Sequence, residues 1–91
     1  MPIRDARIIT AGGERFRFYY DLEVPELLHV TLRHGTTPEN AIRTFFEGEA
    51  GPWDEARSRF ETLTDTHILY WTRHEHDQSV IVISCFEREE E

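Results

Sequence analysis

Three groups of residues have types and spacings that could do chemistry. Arg33 and His34 stand side by side before Gly35. Histidine transfers protons near neutral pH, and arginine can pin a phosphate. The plainer reading of the same pair is a helix end, where basic residues sit well against the dipole. His74-Glu75-His76-Asp77 is the most metal-like cluster. Imidazoles two apart on a strand share a face, and a carboxylate could complete a site. The stretch also reads as a polar hairpin turn, and the sequence fixes no further ligand, so neither a metal nor a cofactor is expected. Cys85 lies beside Ile83 and Phe86 with Glu87 nearby. Nothing electropositive in its vicinity lowers its pKa, so it reads as a buried structural thiol. The chain shows no glycine-rich phosphate loop, nucleophile elbow or paired-carboxylate motif.

The composition limits what these residues can serve. With 91 residues there is room for one core. Six Phe, three Tyr and two Trp argue for a folded domain. Those aromatics could stack bases, but stacking platforms sit in basic grooves. This chain has 18 acids against 10 bases, a net charge of -8. Such a surface repels phosphate at long range and argues against charge-driven nucleic-acid binding. Every base is arginine, and the last five residues, 87–91, form an acidic tail behind a domain over 1–86. GC-rich coding or a salty cytoplasm explains such a bias as readily as function does. The longest apolar run is four residues, Val80 to Ile83, so no membrane helix or membrane partner is expected. A single cysteine excludes an internal disulfide, and a cytoplasmic location is the natural expectation.

The elements that would position the candidates follow from periodicity. Ala6 to Thr10 and Arg15 to Tyr20 flank the turn residues Gly12-Gly13 and read as a β-hairpin. Phe16, Phe18 and Tyr20 fall on one face of its second strand. Residues 23–34 are ambiguous. Leu28, Val30 and Leu32 alternate as in a strand, while Pro25 and Gly35 suit a helix. Thr37-Pro38 is a helix start, and Ala41, Ile42, Phe45 and Phe46 form its apolar face. Residues 52–64 are again open between helix and strand. Ile68 to Arg73 and Ser79 to Phe86 are rich in β-formers around a polar turn. Val80 to Ile83 is apolar on both faces, as a central, doubly covered strand would be. The sum is an α+β fold, a small antiparallel sheet with one or two helices packed on one face.

At Arg33-His34-Gly35-Thr36-Thr37-Pro38-Glu39-Asn40-Ala41, then Phe45, the chain resembles the lysine-His-Gly…Glu-x-Ala…Phe segment of BrnT-like proteins. These are toxins of bacterial toxin–antitoxin pairs with a RelE-like ribonuclease fold. Phe18-Tyr19-Tyr20-Asp21 is similar to the family's Phe-x-Trp-Asp first strand, and Val80-Ile81-Val82-Ile83-Ser84 to its closing Ile-Ile-Ser strand. The match spans about residues 16–84. It favours a helix over Pro25 to His34, because the family places two helices after its first strand. It implies His34 as the proton-transfer group and Arg33 and Arg73 as phosphate holders, the minimum equipment for in-line cleavage of RNA through the ribose hydroxyl. Two departures stand out. The family follows Ile-Ile-Ser with a basic stretch, where this chain has Cys85-Phe86-Glu87-Arg88-Glu89-Glu90-Glu91, and residues 1–14 are extra.

Two functional readings result. One is a BrnT-like toxin–antitoxin component: an RNA-cleaving toxin, or a derivative that keeps the fold and its partner-binding surface. The other is a non-enzymatic acidic binding protein, such as an inhibitor, an immunity factor or a phage counter-defence protein mimicking nucleic acid. A protein partner (an antitoxin or an inhibited target) or a second copy is expected in either case. RNA is a partner only if the toxin reading holds.

Overall fold

The computed structural model describes residues 6–88. The expected hairpin is present, as β1 (Ala6–Ala11) and β2 (Glu14–Tyr19). Gly12 and Gly13 both have positive φ, 57° and 81°, the requirement of a type I′ turn. Gly12 is further constrained because a Cβ there would lie 2.6 Å from the Phe46 ring. Two helices follow, α1 (His29–His34) and α2 (Pro38–Glu47). Then come β3 (Glu49–Ala50), β4 (Phe60–Leu63), β5 (His67–Arg73) and β6 (Val80–Glu87).

The six strands form one sheet in the order β1-β2-β6-β5-β4-β3. The expected all-antiparallel sheet is corrected at one place: β2 and β6 run parallel, with Phe16 beside Val80 and Phe18 beside Val82. The cause is the chain path. After β2 the helices carry the chain to the far side of the sheet. There β4, β5 and β6 return strand by strand as an antiparallel meander. Its last strand therefore arrives alongside β2 with the same direction as β4.

α2 forms as its sequence demands. Thr37 Oγ1 accepts the Asn40 N–H at 3.2 Å, and Pro38 occupies the first turn. Its buried Ala41 and half-buried Phe45 lie on the core face of the sheet. Phe45 meets Phe16 and Trp71 edge-on, at centroid distances of 5.2 and 5.0 Å. Phe16, Phe18, Leu69, Val80, Val82 and Trp71 complete this core. Trp71 Nε1 donates to the buried Thr62 hydroxyl at 2.8 Å, so the one polar atom of the indole is satisfied.

The helix expected over Pro25 to His34 is shorter than that, beginning only at His29. Residues 21–28 are loop, because the Leu27 carbonyl, which a helix would give to Thr31, accepts the Asp21 N–H at 2.8 Å, and the extended Leu28 bridges Tyr20. α1 ends where expected. Gly35 adopts φ 67°, and the N–H groups of Gly35 and Thr36 return to the carbonyls of Thr31 and Val30. The ambiguous stretch 52–64 resolves into a turn closed by mutual Asp54–Arg59 backbone bonds, then β4. A further expectation fails in part. β6 is interior, between β2 and β5, yet its second face is covered only in part, Ser84 being buried while Ile81 and Ile83 are not. Val80 and Val82 are buried, whereas Ile81 and Ile83 are half-buried on the face away from α2. A register shift opposite Tyr70/Trp71 then brings Cys85 round to the core.

β6 runs on through Glu87, and the Arg88 N–H donates to Thr66, so this part of the acidic tail belongs to the fold. Residues 89–91 of that tail and residues 1–5 lie outside the described residues. Among the described residues no helix is long and apolar enough to cross a membrane.

Candidate functional site

Asp21 and Arg33 meet at one end of the sheet. Asp21 directly follows the β2 end, and Arg33 sits in the last turn of α1. Arg33 Nε donates to Asp21 Oδ1 at 3.0 Å and its Nη2 to Oδ2 at 3.2 Å, a two-pronged contact. The same Nη2 reaches Glu23 Oε2 at 2.9 Å. His29 Nδ1 lies 3.1 Å from Asp21 Oδ1. With the Glu23 and Val24 amides, Asp21 is surrounded by donors, and only 4% of it is exposed. These bonds, Arg33's above all, hold its carboxyl far below the usual carboxylate range, and the Arg33 pKa rises in return.

His34 faces away from this carboxylate. Its ring packs edge-on against His29 at 5.2 Å and lies 6.2 Å from Phe86. Burial, helped by the neighbouring His29, pushes its pKa below the ordinary histidine value. The histidine oriented by a carboxylate is therefore His29, which sequence reasoning missed. Its partner lies eight residues upstream through an irregular loop, where no helical or strand period applies. The available signal was the likeness of Phe18-Tyr19-Tyr20-Asp21 to a Phe-x-Trp-Asp strand end. A cleft of about 480 Å³ opens beside the cluster, lined by Leu22, Glu23, His29, Arg33, Ile81 and Ile83 among others.

The expected three-residue constellation is not assembled. Arg73 shares a strand face with Leu69 and Trp71, the core face, and its guanidinium lies 5.5 Å from the Trp71 ring centre. It is held by both carboxylate oxygens of Glu14, at 2.7 and 3.1 Å, and by the Gln78 carbonyl. Glu14 is drawn below its usual pKa by the same contact. Arg33, by contrast, opens into a cleft on the side of Ile81 and Ile83. Along β6, Arg73 is paired with Val80 while His34 packs near Phe86. Six residues of strand separate those points, about 20 Å. A phosphate held by Arg73 is out of reach of His34. No protein-family model matches the chain, and no curated protein or solved structure matches it either.

The other candidates are accounted for locally. His74 to Asp77 makes the β5–β6 turn, with the two imidazoles 5.6 Å apart. Asp77 spends its oxygens on the Ser79 hydroxyl and amide and on Arg17 at 2.7 Å, which hold its pKa well below normal. Among the described residues no three metal-binding side chains gather. Cys85 is fully buried, and burial raises its pKa, as the structural-thiol reading requires.

Proposed function

We propose that this protein is a toxin–antitoxin-type component that binds a protein partner without cutting RNA, a derivative of the BrnT-like pattern. The observation that carries the reading is the internal neutralisation of the arginines that cleavage requires. Arg33 is closed by Asp21 and Glu23, and Arg73 by Glu14 on the opposite face of the sheet. A cleavage site needs cations aimed at the phosphate and unspent on the protein's own acids. The net charge of -8 works in the same direction.

The remaining surface suits a partner. α2 covers one face of the sheet, and on the other Ile81 and Ile83 stay half-exposed beside Leu22, 77% exposed. An apolar cleft of this kind, rimmed by Glu23 and Arg33, fits a side chain from a partner protein better than a polyanion. The ion-paired cluster of Asp21, Glu23, His29 and Arg33 then serves to hold the 21–28 loop against α1 and shape the cleft wall.

The test is expression with and without the product of the adjacent gene. The expected result is no growth arrest, no RNA cleavage by the purified protein, and a complex that Ile81→Glu plus Ile83→Glu dissolves while the circular dichroism stays folded. Growth arrest relieved by His34→Ala or His29→Ala, with RNA cleavage in vitro, would overturn it.

A further inference from the structure

We propose that two copies of this chain pair through β1, edge to edge, to form a continuous twelve-stranded sheet. The two edges of the sheet differ. The β3 edge is two residues long and runs straight into Gly51-Pro52, a blunt end that resists pairing. The β1 edge runs six residues, Ala-Arg-Ile-Ile-Thr-Ala, with no proline and one charge. That is an open template for another strand.

The hairpin fixes which main-chain groups this edge presents. Ala11 and Glu14 flank the two-residue turn, so they form its hydrogen-bonded pair. Alternation then points Ile9 and Arg7 at β2, and turns the N–H and C=O of Thr10, Ile8 and Ala6 outward. Among the described residues none of these outer groups meets a backbone partner outside the hairpin. An antiparallel second copy centred on Ile8 matches all three. Ala6 faces the partner's Thr10, Ile8 faces the partner's Ile8, and Thr10 faces the partner's Ala6, giving six new ladder bonds. Faces are preserved, so both α2 layers lie on one side.

Side chains agree with this register. Ile8, 46% exposed, lies on the uncovered face and meets its own copy across the two-fold. Arg7 falls opposite the partner's Ile9, so no like charges stand directly opposed. An edge contact of this size is at the small end of specific interfaces, with Kd at about 10–1,000 µM. Both copies are acidic, so added salt strengthens it.

Sedimentation equilibrium of the full chain up to about 1 mM tests the idea. The expected result is a mass rising from 10.8 kDa toward twice that value. Ile8→Lys should weaken association at least about tenfold with unchanged circular dichroism. Ile8→Pro should do the same, since its missing N–H faces outward and costs no bond within the hairpin. The register has its own readout. Ile8→Cys should oxidise to a covalent dimer, because hydrogen-bonded partners stand about 5.5 Å apart at Cα; Leu22→Cys should not. A wild-type monomer at the highest concentration, or a dimer indifferent to Ile8→Lys, would overturn the proposal. Neither result touches the reading of the α1 cleft, which rests on other residues.

Discussion

The two faces of the central strand β6 show how one sequence pattern yields two environments. Val80 and Val82 point at α2 and are sealed. Ile81 and Ile83, equally apolar, point the other way and keep part of their surface in water. Both sides are apolar here, and what differs is the helix each receives: the ten-residue α2 seals one, while the six-residue α1 leaves a cleft open on the other. Position in the strand order makes β6 interior; burial of both faces would need a second layer. On the proposed reading, the apolar residues left partly uncovered are the surface where a partner would add that layer.

Truncation on the covered face should give the largest effect. Phe16 is fully buried and touches Phe45 and Phe46 edge-on. Phe16→Ala should cost about 3–5 kcal/mol, enough to leave a domain this small largely unfolded, as urea titration would register. Ile81→Ala on the opposite face should cost only about 1 kcal/mol, because much less area leaves water there. Equal losses at the two sites would mean that both faces are covered in solution.

A finer cut separates the faces by their polar atoms. Trp71→Phe keeps an aromatic ring on the covered face but removes part of the buried indole and leaves the Thr62 hydroxyl without the indole N–H. The loss should be about 2–4 kcal/mol, the unmade bond and the void together. Tyr70 sits one residue away on the other face, beneath the Arg59 guanidinium at 3.7 Å. Tyr70→Phe should change stability by less than about 0.5 kcal/mol, since water replaces whatever its hydroxyl gives up. Thermal melts of the two variants side by side check the contrast.

The same contrast marks what could be read from the sequence. The hairpin was legible because Gly12-Gly13 and a period of two leave few alternatives. α2 was legible because Thr37-Pro38 and the 41/42/45/46 spacing agree with each other. The start of α1 was not. Leu28, Val30 and Leu32 fit either period, and the decision rests with the Asp21 N–H taking the Leu27 carbonyl and with Leu28 bridging Tyr20. The parallel β2–β6 pairing was also hidden, being fixed by the route of the helices across the sheet. At the site, Arg33 and His34 were identifiable by type. Arg73 was misplaced in the constellation, although alternation from Trp71 already puts it on the core face. The buried ring of Trp71 and the Glu14 carboxylate claim it there.

Acid should erode the ion-paired ends of the sheet before its core. Asp21 at the α1 end and Asp77 and Glu14 at the hairpin end all have folded pKa values below their unfolded ones. Each therefore stabilises the fold fully above the unfolded value near 4, and that contribution falls as pH drops through the folded one. Melting temperature should be level from pH 7 to 5 on this account and decline steeply below 4. Asp21→Asn should remove part of the slope, and should speed amide exchange at residues 21–28 more than in β6.

The smallest effect should come from His34, and its sign is fixed by its surroundings. Burial beside His29 lowers the folded pKa, so the unfolded chain binds the proton more readily. The folded state is favoured above the unfolded histidine value near 6.5, and stability declines as pH falls from there through the folded value. Histidine titration followed by NMR should put the His34 midpoint below the ordinary histidine value of about 6.5. Melting temperature should fall slightly between pH 7.5 and 5.5, and His34→Gln should flatten that decline without touching the steeper one below 4. A His34 midpoint above that ordinary value would show an unscreened carboxylate near the ring, and would make the α1 end a site for proton transfer after all.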